Sequence, residues 1–137
     1  MDDKIISHFD VTASGLSAER ARMRLIASNI ANANTTRSPE GGPYKKRFAV
    51  LETHAVEGST VDTGVHVERI VTDTMAPRMV YDPEHPDANT EGYVAYPNVD
   101  VLQEVADMKT ATMAYQANIS ILNGTKDMIS AALRIAE

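Results

Sequence analysis

The sequence predicts an α+β fold in which long N- and C-terminal helices pair as an antiparallel coiled coil around a small inserted antiparallel β-domain. Apolar residues recur at alternating four- and three-residue steps in the first and last segments of the 137-residue chain, a period that keeps one side of a helix against a partner. The middle changes to short β-branched and aromatic runs between turn residues, which is typical of small sheets. We expect residues 1–35 to form the N-terminal helix and its junction, 36–97 a loop and the β-domain, and 98–137 the C-terminal helix.

The N-terminal segment, from Ile5 to about Asn32, predicts an amphipathic helix of roughly 40 Å. Gly15 marks a weak point where a kink is expected. The stripe consists of Ile6, Phe9, Ala13, Leu16, Arg20, Met23, Ala27 and Ile30. Because a helix of this kind must bury one side, we expect it to pack against the helix at the other end of the chain.

The link that follows this helix is rich in asparagine, at positions Asn29, Asn32 and Asn34. Asparagine competes with helical hydrogen bonds and tolerates left-handed backbone, so this stretch is expected to end the helix and fold against it through side-chain to backbone bonds. Residues 36–44 contain two prolines and two glycines and are predicted to form a loop.

The β-domain is predicted to contain four short strands, at Arg47–Glu52, Gly64–Thr72, Arg78–Tyr81 and Gly92–Tyr96. About fifty residues with so few large side chains bury little apolar surface, so this unit should depend on other parts of the chain for stability.

The C-terminal segment, Val101 to Ala136, predicts one helix of roughly 54 Å. Its heptad phase continues through Gly124, although Gly costs about 1 kcal/mol relative to Ala. The stripe consists of Val101, Val105, Met108, Thr112, Tyr115, Ile119, Leu122, Lys126, Ile129, Leu133 and Ala136. Alanine and methionine continue beyond it, so the helix should be buried on several sides and need another long helix. An ordinary helical hairpin inside a globular domain remains the alternative.

Composition excludes several classes of protein. The net charge of −6 argues against a nucleic-acid binder. With no cysteine there is no disulfide, thiol nucleophile or zinc–thiolate site. Aromatic residues make up only 5% of the chain, which favours packed helices over a thick globular core. The chain begins without the pattern of a cleaved signal peptide and has no apolar run of the ~20 residues that a membrane span needs.

The densest polar cluster is the turn from Asp82 to Asp87, which also contains Glu84 and His85. Oxygen-rich clusters bind calcium, and His with Asp holds transition metals. The two prolines and the absence of EF-hand spacing favour a rigid turn instead. We therefore predict no catalytic residue, no cofactor and no metal, and keep a metal-binding enzyme that uses this turn as an alternative.

Several motifs together give the chain a resemblance to a known family. They are Ser14-Gly15-Leu16, the Asn-rich residues 27–35, the Pro-Glu-Gly-Gly-Pro-Tyr loop within 36–44, Tyr81-Asp82-Pro83 with His85-Pro86, Gly92-Tyr93-Val94 and Pro97-Asn98-Val99. The chain resembles the bacterial flagellar axial proteins and, among them, the proteins of the proximal rod. Met113 and Gly124 depart from that pattern, at positions where an arginine and a better helix former are expected.

The resemblance implies a structural subunit of the basal-body rod, a tubular drive shaft that transmits motor torque and through which later subunits are exported. It implies transport through the flagellar type III export apparatus without a cleaved signal, and assembly in the periplasmic rod. The implied partners are the rod proteins FlgB, FlgF and FlgG, the rod-base protein FliE and further copies of the chain, with no nucleic acid and no membrane insertion. A soluble coiled-coil adaptor is the other alternative.

The expected assembly interface combines seam positions of the two helices with two junction asparagines. It consists of Phe9, Leu16, Met23, Ile30, Asn32, Asn34, Val105, Met108, Tyr115, Ile119, Leu122, Ile129 and Leu133.

Overall fold

The computed structural model describes residues 2–55 and 63–136 of the chain. The elements follow in the order α1 (Asp2–Ala31), β1 (Arg47–Ala55), β2 (Thr63–Thr72), β3 (Arg78–Tyr81), β4 (Tyr93–Tyr96) and α2 (Val101–Ala136). The α+β prediction is confirmed: helices stand at the two ends, with antiparallel strands between them.

The two helices pack against each other as an antiparallel pair. Asn29, near the end of α1, bonds to Glu104 at the start of α2, while Gly15 lies against Asn118 further along both helices. The helix α1 continues through Gly15, and α2 continues through Gly124 as predicted. Within the described residues, neither helix combines the length and apolar character that crossing a membrane requires.

The side chain of Asp100 fixes the start of α2. Its Oδ1 accepts hydrogen bonds from the backbone N–H of Leu102 at 3.0 Å and of Gln103 at 3.3 Å. These are two of the backbone donors that a helix leaves unpaired at its N-terminus. The C-terminal helix therefore begins at the position that the heptad pattern predicts.

The strands form two separate two-stranded antiparallel sheets, β1–β2 and β3–β4. In the first, the pairing register shifts between Val50 and Leu51, where β2 contributes an extra residue. The four predicted strands are all present, and β1 extends three residues further than expected, to Ala55. Among the described elements, β3 and β4 contact only each other.

The helix α1 occupies the middle of the fold, because it contacts α2 and both strands of the β1–β2 sheet. The hydroxyl of Ser14 donates to the carbonyl oxygen of Val11 at 2.7 Å and accepts the N–H of Val65 in β2 at 3.0 Å. The core is small and consists of Ala18, Ile26, Ala33, Tyr44, Val94 and Ala111. Among the described elements, α2 packs on α1 alone.

Candidate assembly interface

Large apolar side chains remain exposed along the whole of α2. They are Val101, Leu102, Val105, Met113, Ile119, Ile121, Met128, Leu133 and Ile135. Over residues 8–31 of α1, where the side chains are described, no large apolar residue is exposed. Where side chains are described, the uncovered apolar surface of the helix pair therefore lies on α2.

The side of α2 that faces α1 follows a seven-residue spacing of small and polar residues. Glu104 bonds to Asn29, and Asn118 lies against Gly15. Ala111, midway between them, is completely buried. Ala111 on α2 and Gly15 on α1 are small enough to let the two helices approach closely.

The exposed apolar residues of α2 form two columns on other sides of the helix. At 100° per residue, Val105, Ile119 and Leu133 lie together on the flank next to α1. Ile121, Met128 and Ile135 lie together on the opposite side of the helix from that flank. We call these six residues the outer face of α2.

The residues of the expected interface fall into two groups. The exposed members are Asn34, Val105, Ile119 and Leu133. The half-buried members are Phe9, Leu16, Met23, Ile30, Asn32, Met108, Tyr115, Leu122 and Ile129. The role of all thirteen in assembly stays a prediction, but only the exposed group is free within one chain to meet a neighbour.

A buried polar cluster closes the end of the helix pair next to the sheets. Asn29, which is 1% exposed, uses both atoms of its amide. Its Nδ2 donates to the carbonyl oxygen of Arg47 at 2.9 Å and to Glu104 Oε2 at 3.0 Å. Its Oδ1 accepts from the hydroxyl of Tyr44 at 2.9 Å and from the N–H of Arg47 at 3.0 Å. One side chain thus joins α1 to the loop, to β1 and to α2, with all four of its hydrogen-bonding positions used.

The buried carboxylate of Glu104 needs a positive partner, because an unpaired charge in the interior is strongly destabilising. Lys46 supplies it: its Nζ lies 2.6 Å from Oε1, while Oε2 accepts from Asn29. Lys46 is itself partly exposed. We call Asn29, Tyr44, Lys46, Arg47 and Glu104 the junction cluster.

Asn32 ends α1 in the way that the sequence predicts. Its Nδ2 donates to the carbonyl oxygen of Ser28 at 2.8 Å, and its Oδ1 accepts from the hydroxyl of Thr35 at 3.2 Å. The carbonyl oxygen of Thr35 then accepts the N–H of Tyr44 at 2.9 Å, which closes the loop. Asn34 is exposed beside Pro97.

The turn from Asp82 to Asp87 ties the β3–β4 unit to the loop after α1. Asp87 accepts a hydrogen bond from the hydroxyl of Thr36 at 2.7 Å and pairs with Arg37. These two contacts lower the pKa of the Asp87 carboxyl below its ordinary value. Its N–H donates to Nδ1 of His85 at 3.0 Å. Across residues 2–55 and 63–136, no group of three or more His, Asp or Glu is arranged to hold a metal ion.

Sequence reasoning did not single out Tyr44 or Glu104 as site residues. A charged residue near a helix start is usually solvated. Glu104 is instead buried, and its burial depends on Asn29, which lies 75 positions away in the sequence. The available signal was the seven-residue spacing of Glu104, Ala111 and Asn118, a small and polar column beside the apolar stripe.

Comparison with known proteins gives two family matches and several close relatives. Residues 9–37 match the family model "Flagella basal body rod protein", and residues 90–135 match "Flagellar basal body rod FlgEFG protein C-terminal". The flagellar basal-body rod protein FlgC of Bacillus subtilis is 38% identical over 93% of this chain and 95% of its own length. The FlgC proteins of Yersinia enterocolitica and Escherichia coli O157:H7 are 37% and 35% identical, each over 97% of this chain and 98% of their own length.

Proposed function

Since the chain belongs to the FlgC family of flagellar basal-body rod proteins, we propose that neighbouring subunits cover the outer face of α2 in the assembled rod. The chain is a structural subunit of the bacterial flagellar basal-body rod. It interacts there with other rod components. The proposal concerns which surface makes those contacts.

This proposal rests on the difference between the two helices in how much of their surface is buried within the chain. The helix α1 contacts both α2 and the β1–β2 sheet, whereas among the described elements α2 packs on α1 alone. Extensive exposed apolar surface marks sites of protein association. The outer face of α2 runs from Val105 to Ile135, which is about 45 Å at 1.5 Å per residue, a length that suits another long helix.

The arrangement favours an open assembly over a closed coiled-coil adaptor. A closed dimer would bury one self-complementary side of α2, but the two exposed columns lie on different sides of the helix. Separate neighbours on the two sides would cover both. Contacts of this head-to-tail kind continue into a helical tube when the rotation between subunits does not close.

The proposal also covers the domains of the subunit, its partners, its role in the rod and its route of export. We propose that residues 1–35 and 98–137 act as one terminal-helix domain and residues 36–97 as the inserted β-domain. Within the proximal, periplasmic rod we propose contacts with FlgB, FlgF, FlgG, FliE and further copies of the chain. We propose that the subunit has no enzymatic activity, transmits torque as part of the drive shaft, and reaches the tip through the type III export apparatus without a cleaved signal.

The test places a charge on the outer face without disturbing the helix pair. Ile119→Asp should abolish incorporation into basal bodies, because a carboxylate would be buried against an apolar neighbour, while the free chain keeps its helical content. Ile119→Leu keeps an apolar side chain of the same size at the same position and should incorporate normally. The measurements are immunoblots of purified basal bodies and circular dichroism of the free variants.

Normal incorporation of Ile119→Asp would refute the outer face as a contact surface. Leu122→Asp and Ile30→Asp should also abolish incorporation, but both residues are half-buried within the chain. Those two variants would therefore destabilise the free subunit as well, and Ile119→Asp separates assembly from folding more cleanly.

A further inference from the structure

Two histidines meet on the β1–β2 sheet, away from the outer face of α2 and from the junction cluster. His54 of β1 and His66 of β2 bring their Nδ1 atoms to 3.3 Å from each other. Their ring centroids are 5.1 Å apart, and the ring planes stand at 81°. Both side chains are exposed, so ions in solution can reach them.

The strand register explains why the rings meet. His54 pairs across the sheet with Gly64, and His66 pairs with Glu52. Side chains of directly paired residues lie on the same face, so the two histidines are diagonal neighbours on one face. A Cβ at Gly64 would lie only 2.9 Å from Cε1 of His54. The absence of a side chain at Gly64 therefore leaves the His54 ring room to lean towards His66.

The nitrogen separation matches the geometry of a transition-metal site. Zn–N bonds of about 2.0–2.1 Å at a tetrahedral angle place two ligand nitrogens about 3.3–3.4 Å apart. Without a metal, the two Nδ1 atoms are within hydrogen-bond distance when one ring carries its proton on Nδ1. A metal ion between the rings would replace that proton at nearly the same nitrogen separation.

We propose that His54 and His66 form a two-histidine site for a divalent transition metal, with Zn²⁺ as the reference ion. Imidazole nitrogen is a preferred ligand of Zn²⁺, Cu²⁺ and Ni²⁺. The described residues supply no third His, Asp or Glu to this group, so water fills the remaining coordination positions. The bound ion joins β1 to β2 beyond the register shift at Val50 and Leu51 and holds together the end of the sheet that lies against Ser14 of α1.

The test is calorimetric titration of the full chain with Zn²⁺ at neutral pH in a buffer that does not bind metals. One equivalent should bind to the wild-type chain, and His54→Gln or His66→Gln should each weaken binding at least tenfold. His8→Gln and His85→Gln remove histidines that lie elsewhere in the fold and should leave binding unchanged. Absence of binding in the wild type, equal binding in His54→Gln or His66→Gln, or loss in either control would overturn the proposal.

A second measurement uses the wild-type chain and so does not depend on how the variants fold. Cu²⁺ bound to the full chain at one equivalent should show hyperfine coupling to two imidazole nitrogens in electron paramagnetic resonance. Coupling to a single nitrogen would show that the two rings do not share the ion and would refute the site.

Discussion

The helix α1 lies between α2 and the β1–β2 sheet, whereas α2 contacts α1 alone among the described elements. Both helices carry apolar residues at heptad-like spacing, so their difference in cover is not evident from periodicity. It comes from the β1–β2 sheet, which packs on α1 and bonds to Ser14 through Val65. Asn29 and Gly15 on α1, with Glu104 and Asn118 on α2, fix where the two helices meet. The comparison teaches that polar and close-packed positions fix the pairing within the chain, while large apolar side chains of α2 stay exposed.

The largest expected change in stability comes from substitution of Asn29 in the junction cluster. Asn29→Ala removes four hydrogen bonds at a buried position and leaves the Glu104 carboxylate with Lys46 alone, so the free energy of unfolding should fall by about 4 kcal/mol. The matched change on α2, Asn123→Ala, lies at an exposed site and should shift stability by no more than about 0.5 kcal/mol. Urea unfolding of the two free variants measures this difference. Equal free energies of unfolding would contradict the view that the two helices differ in how they are buried within the chain.

Isoleucine gives the next test, with one identical substitution in each helix. Ile26 of α1 is 6% exposed and Ile121 of α2 is 56% exposed. Ile26→Ala should cost about 3 kcal/mol through lost burial and the cavity left behind. Ile121→Ala should cost the free chain less than about 0.5 kcal/mol, yet lower incorporation into basal bodies. A free-chain cost for Ile121→Ala near that of Ile26→Ala would show that α2 is covered within one chain.

Substitution of the two helical glycines by alanine should have effects on stability that differ by about 1 kcal/mol. A Cβ at Gly124 would meet no atom within 4 Å, so Gly124→Ala should stabilise the free chain by about 1 kcal/mol through helix propensity alone. A Cβ at Gly15 would lie 3.0 Å from Nδ2 of Asn118, and this close approach should cancel the same gain. Thermal unfolding of both variants would contradict this account if Gly15→Ala proved the more stable.

The smallest effect concerns acid and the contact between the loop and the β3–β4 unit. Thr36 and Arg37 lower the pKa of Asp87 in the folded chain, so this contact stabilises the fold at pH values above the ordinary Asp pKa. The stabilisation is lost as the pH falls through the lowered folded-state pKa. Thr36→Val removes the hydroxyl donor and should move the Asp87 pKa, followed by NMR of its carboxyl carbon, upwards towards the ordinary value. An unchanged pKa would show that Thr36 does not stabilise the carboxylate.

Much of the fold could be read from the sequence, because local signals determine it. The end of α1 at the Asn-rich link, the start of α2 at Val101 and all four strands follow from periodicity, Asn, Gly and Pro. The heptad pattern also carries correctly through Gly124, although Asn123-Gly124 is a turn-forming dipeptide and Gly is a poor helix former.

The antiparallel pairing of the two helices was predicted, but the positions at which they meet could not be read in the same way. The apolar stripe places Ile119 and Lys126 on the side of α2 that faces α1. In the structure the preceding residue lies there in each case: Asn118 is against α1, and Thr125 lines a groove with His8 of α1. A hydrophobic pattern does not distinguish a column buried within one chain from a column buried between chains, since the driving force is the same. The burial of Glu104 could not be predicted for a related reason: its partners, Asn29 and Lys46, are brought near it only by the fold.

The hydrogen bond between Asn29 and Glu104 spans 75 positions along the chain, and this distance has a kinetic consequence. The β1–β2 hairpin closes over a much shorter segment, so it can form early, whereas contacts between distant segments form late because a long loop must first be closed. The junction cluster can be completed only after the chain is present as far as Glu104. The helix pair is therefore fixed at this end only once Glu104 has met Asn29, later than the β1–β2 hairpin forms.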